Sequence, residues 1–111
     1  MEAVSGNVTP RRGSNVTLTC EGSNVGELYT IVSWKFNGHE IKKKTNKKAI
    51  ETFSRGRRGK FSLHVTNVSE KDVGKYTCEA MNPGFDEGRT ASDYINLTLY
   101  EKGELYLNLF L

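Results

Sequence analysis

No stretch of the 111-residue chain approaches the roughly 18 consecutive apolar residues that a membrane-spanning helix needs. A secretory leader is missing too: Met1-Glu2-Ala3 opens straight into polar sequence, without a basic start and an apolar segment. Met1 is therefore expected to be the added start of a mature fragment whose leader and remainder lie elsewhere. Histidine is scarce, with only His39 and His64, and no His/Cys/Asp/Glu spacing suggests zinc. No glycine-rich loop suited to cradling a phosphate is present; Gly56 and Gly59 flank arginines in what reads as a turn. The 3.6-residue period of an amphipathic helix does not occur, nor does an internal repeat or a linker that would divide the chain. Proline occurs twice, against eleven glycines.

Glycine joined to short apolar runs points to strands connected by turns. Period-2 alternation dominates, placing Val16, Leu18 and Cys20 on one side of a first run and Val32, Trp34 and Phe36 on one side of a second. The same pattern continues through Phe61, Leu63 and Val65, through Tyr76, Cys78 and Ala80, and through Ile95, Leu97 and Leu99. Each run reads as a strand with one buried and one wet face. Asn37-Gly38 is a strong tight-hairpin signal, so a partner strand should begin near His39. One short helical turn is expected at Ser69–Asp72, with Ser69 as its cap. Hydrophobic residues make up 36% of the chain, enough for one modest core.

Two cysteines so far apart as Cys20 and Cys78 mean little by themselves. The chain also has four N-x-[ST] sequons, at Asn7, Asn15, Asn67 and Asn96, where about one would be expected by chance. Four suggest a secreted or surface-displayed protein, in which a disulfide is stable.

Cys20 and Trp34 lie fourteen positions apart, and Cys78 closes the run Asp72-x-Gly74-x-Tyr76-x-Cys78. Before it stands Phe61-Ser62-Leu63-His64-Val65-Thr66-Asn67-Val68. Over residues 4–100 this pattern resembles the immunoglobulin superfamily, in the I-set or V-set manner. The resemblance implies an all-β, two-sheet antiparallel Greek-key sandwich, with a Cys20–Cys78 bridge between the sheets packed on Trp34. It implies that the Tyr76 hydroxyl bonds back to nearby backbone. Gly74 is expected where a side chain would crowd. Asp72 resembles the family's buried acid, which pairs with an arginine near the start of the fourth or fifth strand; of Arg55, Arg57 and Arg58, Arg58 is the expected partner. The strands implied are A near 3–9, B 14–21, C 30–37, C′ 39–44, D 48–54, E 60–66, F 74–82 and G 91–100. The interval from Trp34 to Cys78 leaves scarcely any room for C″. The domain is expected over 1–103.

With both cysteines committed to the bridge, neither histidine has a recognisable Ser or Cys partner. The chain is expected to be no enzyme and to need no cofactor or metal. Cell-surface or secreted recognition of an extracellular protein ligand is what the resemblance implies, with this domain one module of a longer ectodomain, expected to be that of a single-pass membrane protein. An intracellular structural module is the rival from another class.

Charge is distributed unevenly. Residues 42–60 contain Lys42, Lys43, Lys44, Lys47, Lys48, Arg55, Arg57, Arg58 and Lys60 against the single acid Glu51, so this segment carries +8 and the rest −5. One reading is a surface for heparan sulfate, a growth factor or an acidic protein; the other is a solvated edge whose lysines discourage strand pairing. Nucleic acid is not expected outside a cell, and Phe53 is the only aromatic residue in the block.

Asn15 and Asn96 have outward parity on opposite sheets, so sugars on both would leave binding to the loops and the basic edge. Phe85, between Gly84 and Asp86, is either a recognition residue at a loop tip or folded back onto the sheet. Lys35, Lys75, Glu79, Met81 and Tyr94 form a competing surface on the sheet that contains G. The tail 104–111 alternates leucines with Tyr106, Asn108 and Phe110. It reads as a further strand on this domain or on a second chain, as the start of a following domain, or as a cloning remnant. A homodimer through this tail or an edge strand is one expectation.

Overall fold

In a computed structural model, Asn37 and Gly38 take positive φ values of 49° and 87°, the conformation of a two-residue primed turn. The structure describes residues 2–3, 6–23, 31–42, 44–55, 58–82 and 89–100. Among the described residues eight strands are formed: β1 (Glu2–Ala3), β2 (Val16–Ser23), β3 (Ile31–Phe36), β4 (His39–Glu40), β5 (Lys48–Arg55), β6 (Arg58–Val65), β7 (Gly74–Asn82) and β8 (Arg89–Leu97). They make two antiparallel four-stranded sheets, ordered β1-β2-β6-β5 and β4-β3-β7-β8. A 3-10 turn, Glu70–Asp72, is the expected helical turn. Among the described residues no helix is long and apolar enough to cross a membrane.

The alternating residues face inward as their period requires. Leu18, Cys20, Trp34, Phe61, Leu63, Val65, Tyr76, Cys78, Ile95 and Leu97 are all fully buried between the sheets. Burying each of the larger side chains contributes about 1.5–3 kcal/mol. Trp34 lies opposite Cys78 in the β3–β7 ladder and meets Phe61 of the other sheet with ring centroids 5.6 Å apart. The Cys20–Cys78 disulfide is formed and ties β2 to β7 across the core. Its 58-residue separation contributes about 4 kcal/mol in the chain-entropy view.

Three details depart from the sequence-derived expectations. The first strand is not one element over 3–9. Glu2 and Ala3 pair with Glu21 and Cys20, whereas Val8 and Arg11 bridge Leu97 and Tyr100 in parallel on the other sheet. Gly6, at φ 64°, lies in the crossover between them. The strand after the hairpin ends at Glu40 instead of running to 44; Lys44 makes only an isolated bridge to Ala49.

The third departure concerns Asp72. Its basic partners are Lys47, with Nζ 2.8 Å from Oδ2, and Lys48, with Nζ 3.9 Å from Oδ1. Arg58 sits at the far end of β6, paired with Ser23 and Arg55, while Asp72 follows that strand's other end. A strand of this length, about 23 Å, separates the two ends. Lys48 is instead opposite Val65, the last residue of β6, and so beside the 3-10 turn. The expected domain boundary at 103 and the tail 104–111 lie outside the described residues.

Candidate functional site

Around the bridge, the motif residues form a packed corner. The Tyr76 hydroxyl donates to the Asp72 carbonyl at 2.7 Å, four residues upstream. Burial, with the Asp72 charge second, pushes its ionisation far above the usual tyrosine range. The Asp72 carboxylate also accepts from Ser69 N–H at 2.9 Å. Gly74 is required because a Cβ there would stand 2.6 Å from both Phe36 Cε2 and Asn37 Oδ1. That Asn37 oxygen accepts from Lys75 N–H at 2.9 Å, so the hairpin turn and the start of β7 are fastened together.

Lys48 belongs to this corner. Its ammonium lies 4.5 Å above the Phe36 ring, itself stacked on Tyr76 at 4.7 Å. Its side chain is 16% exposed, and burial lowers its pKa against the opposing pull of Asp72. Lys47 and Lys48, two of the nine basic candidates, are thus turned to Asp72. Lys42, Lys44 and Lys60 are exposed. Lys43 and Arg57 lie outside the described residues, as do the side chains of Arg55 and Arg58 and the whole of Phe85. The backbone nevertheless separates the block. Lys42 and Lys44 precede β5, while Arg55, Arg58 and Lys60 gather at its other end. Along the edge strand the described members of the block fall into two groups, with Glu51 between them.

The outer face of the β4-β3-β7-β8 sheet is built differently. Register aligns Ile31, Met81 and Thr90 in one row, Ser33, Glu79 and Ser92 in the next, and Lys35, Thr77 and Tyr94 in a third. Ile31 is 54% exposed, Tyr94 51% and Met81 39%. They are three of the four large hydrophobic residues exposed among the described residues, Val73 being the other. Lys35 Nζ lies 3.3 Å from Glu79 Oε1, and Lys75 Nζ lies 4.5 Å above the Tyr94 ring. Apolar side chains at one end, followed by paired charges, make a surface able to bury area against a protein while keeping its charges partnered. Ile31 is a contributor that the sequence reading did not name, although its parity with Ser33 and Lys35 placed it there.

The opposite face is polar. Thr19 pairs with Ser62 at 3.1 Å, and Thr17 Oγ1 lies 2.9 Å from His64 Nδ1, whose Nε2 is 4.0 Å from Glu51. His64 therefore does have a hydroxyl neighbour. On this exposed sheet face the contact is a cross-strand pair. Among the described residues, no group of three His, Cys, Asp or Glu could hold a metal ion. Asn7, Asn15, Asn67 and Asn96 are all exposed.

The model of the immunoglobulin domain family matches residues 6–91. The chain is 38% identical over 71 residues to the basement membrane-specific heparan sulfate proteoglycan core protein of Mus musculus, covering 64% of this chain and 2% of that protein. It is 37% identical over 68 residues to smooth-muscle myosin light chain kinase of Gallus gallus, covering 61% of this chain and 3% of that one. The chain thus spans a few per cent of the length of these curated relatives. Among solved structures it resembles Dpr2 Ig1-Ig2 in complex with DIP-Theta Ig1-Ig3, with a TM-score of 0.72 at 22% identity, covering 86% of this chain and 30% of that one. It also resembles the N-terminal eight Ig domains of Down Syndrome Cell Adhesion Molecule, with a TM-score of 0.71 at 21% identity, covering 91% of this chain and 12% of that one. A titin Z1Z2 tandem gives 0.67 at 22% identity, covering 92% and 46%. The bridged sandwich, its tyrosine corner and the family match lead to one conclusion: the chain belongs to the immunoglobulin domain family.

Proposed function

We propose that this domain is an extracellular recognition module that docks a protein partner on the outer face of its β4-β3-β7-β8 sheet. The observation that carries the reading is that exposed Ile31 and Met81 stand side by side at one end of that face, with Glu79, paired to Lys35, in the next row. Solvent-exposed apolar side chains concentrated on one face favour a protein surface as the ligand over a sulfated polysaccharide. Likeness to a cell adhesion molecule, and to immunoglobulin domains solved in complex with a protein partner, supports the same class of ligand. The four sequons support an extracellular location. The test is a multivalent form of the domain screened against surface and secreted ectodomains. A partner found this way should lose at least tenfold in affinity with Ile31→Arg/Met81→Arg, and little with Thr19→Arg on the opposite sheet. Equal loss with Thr19→Arg, or none with the double variant, would place recognition elsewhere.

Likeness to a smooth-muscle kinase and a titin tandem favours a second reading, an intracellular structural module. The redox state of the two cysteines separates the two readings.

A further inference from the structure

The four sequons do not stand apart. Asn7-Val8-Thr9 and Asn96-Leu97-Thr98 run in parallel and in register, with Val8 bridged to Leu97. Val8 N–H donates to the Asn96 carbonyl at 3.0 Å, and Thr98 N–H donates to the Val8 carbonyl at 3.0 Å. The Asn7 side chain leans onto its neighbour, its Oδ1 accepting from Asn96 N–H at 3.0 Å. The two sequon hydroxyls meet, with Thr9 Oγ1 and Thr98 Oγ1 3.1 Å apart. The other two sequons repeat the contact: Asn15 Oδ1 accepts from Asn67 N–H at 3.0 Å. Asn67 occupies a φ of 50°, a left-handed conformation that asparagine tolerates well.

We propose that the four sequons form two glycosylation sites, Asn7/Asn96 and Asn15/Asn67, and that within each pair a glycan on one asparagine excludes a glycan on the other. The inference rests on the extracellular reading. Attachment forms a bond from the asparagine Nδ2 to the anomeric carbon of an oligosaccharide carried on a lipid diphosphate. The anomeric carbon–oxygen bond breaks, the lipid diphosphate leaves with the electron pair, and the amide loses one proton. In the folded domain both sequon backbones of the first pair are held in a ladder and their hydroxyls are bonded to each other. Transfer therefore precedes pairing of these segments. Neighbouring strands are only about 4.8 Å apart, which is narrower than a pyranose ring with its substituents. Two sugars rooted at matched positions would contend for one volume, and relief would require breaking the ladder around Val8. A chain modified twice within a pair folds poorly and is removed before secretion.

The first pair is also well placed. Lys75 is the β7 residue opposite Asn96, and Met81 lies six residues further along β7. At about 3.4 Å per residue that is about 20 Å, so one sugar covers the Lys75 end and leaves the Ile31–Met81 end open.

The experiment is intact-mass analysis with glycopeptide mapping of the domain secreted from mammalian cells, as wild type and as Asn7→Gln, Asn96→Gln, Asn15→Gln and Asn67→Gln. No wild-type molecule should carry more than two N-glycans, and deleting one member of a pair should raise occupancy of the other at least twofold unless it is already full. Molecules with three or four glycans, or occupancies indifferent to the partner asparagine, would overturn the pairing and leave the extracellular reading standing. A chain bare at all four sequons would overturn both.

Discussion

Lys47 Nζ lies 2.8 Å from Asp72 Oδ2, and that carboxylate is only 3% exposed. The contact joins the start of the β5 edge strand to the turn that presents Tyr76. Asp72 also holds Ser69 N–H, so its removal unties two segments at once. Asp72→Ala is expected to destabilise the domain by about 3 kcal/mol, because it strands a partly buried cation and an amide donor. Lys47→Met should be milder, at about 1 kcal/mol, since Lys47 is itself about one-third exposed and Lys48 remains near the acid. Urea unfolding of both variants checks the order.

Gly74 is pinned from two sides, by the Phe36 ring and the Asn37 amide. A methyl group there must displace an aromatic ring that is stacked on Tyr76. Gly74→Ala should cost about 1–3 kcal/mol. In a domain of this size each kcal/mol lowers Tm by about 4–8 °C, which calorimetry resolves.

Asp93 joins the N-terminal strand to the other sheet. Its carboxylate accepts from Ala3 N–H and from Tyr94 N–H, both at 2.8 Å, and these bonds hold its pKa below the usual aspartate value. Since the folded pKa is the lower one, the stabilisation is present above the unfolded pKa of about 3.9 and is lost as pH falls through the folded value. Below about pH 4 the amide of Ala3 should therefore exchange faster with solvent relative to the β7 amides. Asp93→Asn should remove that pH dependence. An Ala3 exchange profile that does not change would count against the contact.

Heparin retention tests how the basic block is used. With Lys47 and Lys48 turned to Asp72, and with Lys42 and Lys44 before β5 but Lys60 opposite its far end, the domain should elute near physiological salt. Retention to much higher salt would mean that the two groups act as one surface.

Much of the architecture could be read from residue order. Cys20, Trp34, Tyr76 and Cys78 alternate with polar neighbours, so a period of two placed them inside, and Asn37-Gly38 announced its own turn through the positive φ that those residues accept. The divided first strand was hidden, because residues 3–9 contain no element-breaking signal beyond Gly6, and the choice of sheet depends on partners ninety residues away. The partner of Asp72 was misjudged for a related reason. A run of nine basic residues offers many candidates, and only the β5–β6 register shows that Lys48 stands beside the turn while Arg58 is a strand's length away. The pairing of the sequons was not legible in residue order. Their adjacency comes from the parallel Val8–Leu97 bridge and from the Asn15–Asn67 hydrogen bond.

The disulfide between Cys20 and Cys78 is where the location of this domain can be read. The most direct measurement is alkylation of the denatured, unreduced protein taken from the cells that produce it, followed by intact-mass analysis. A recognition module working outside the cell should show no alkylated cysteine, and two after reduction. Two alkylated cysteines before reduction would contradict it and point to a module held in a reducing compartment.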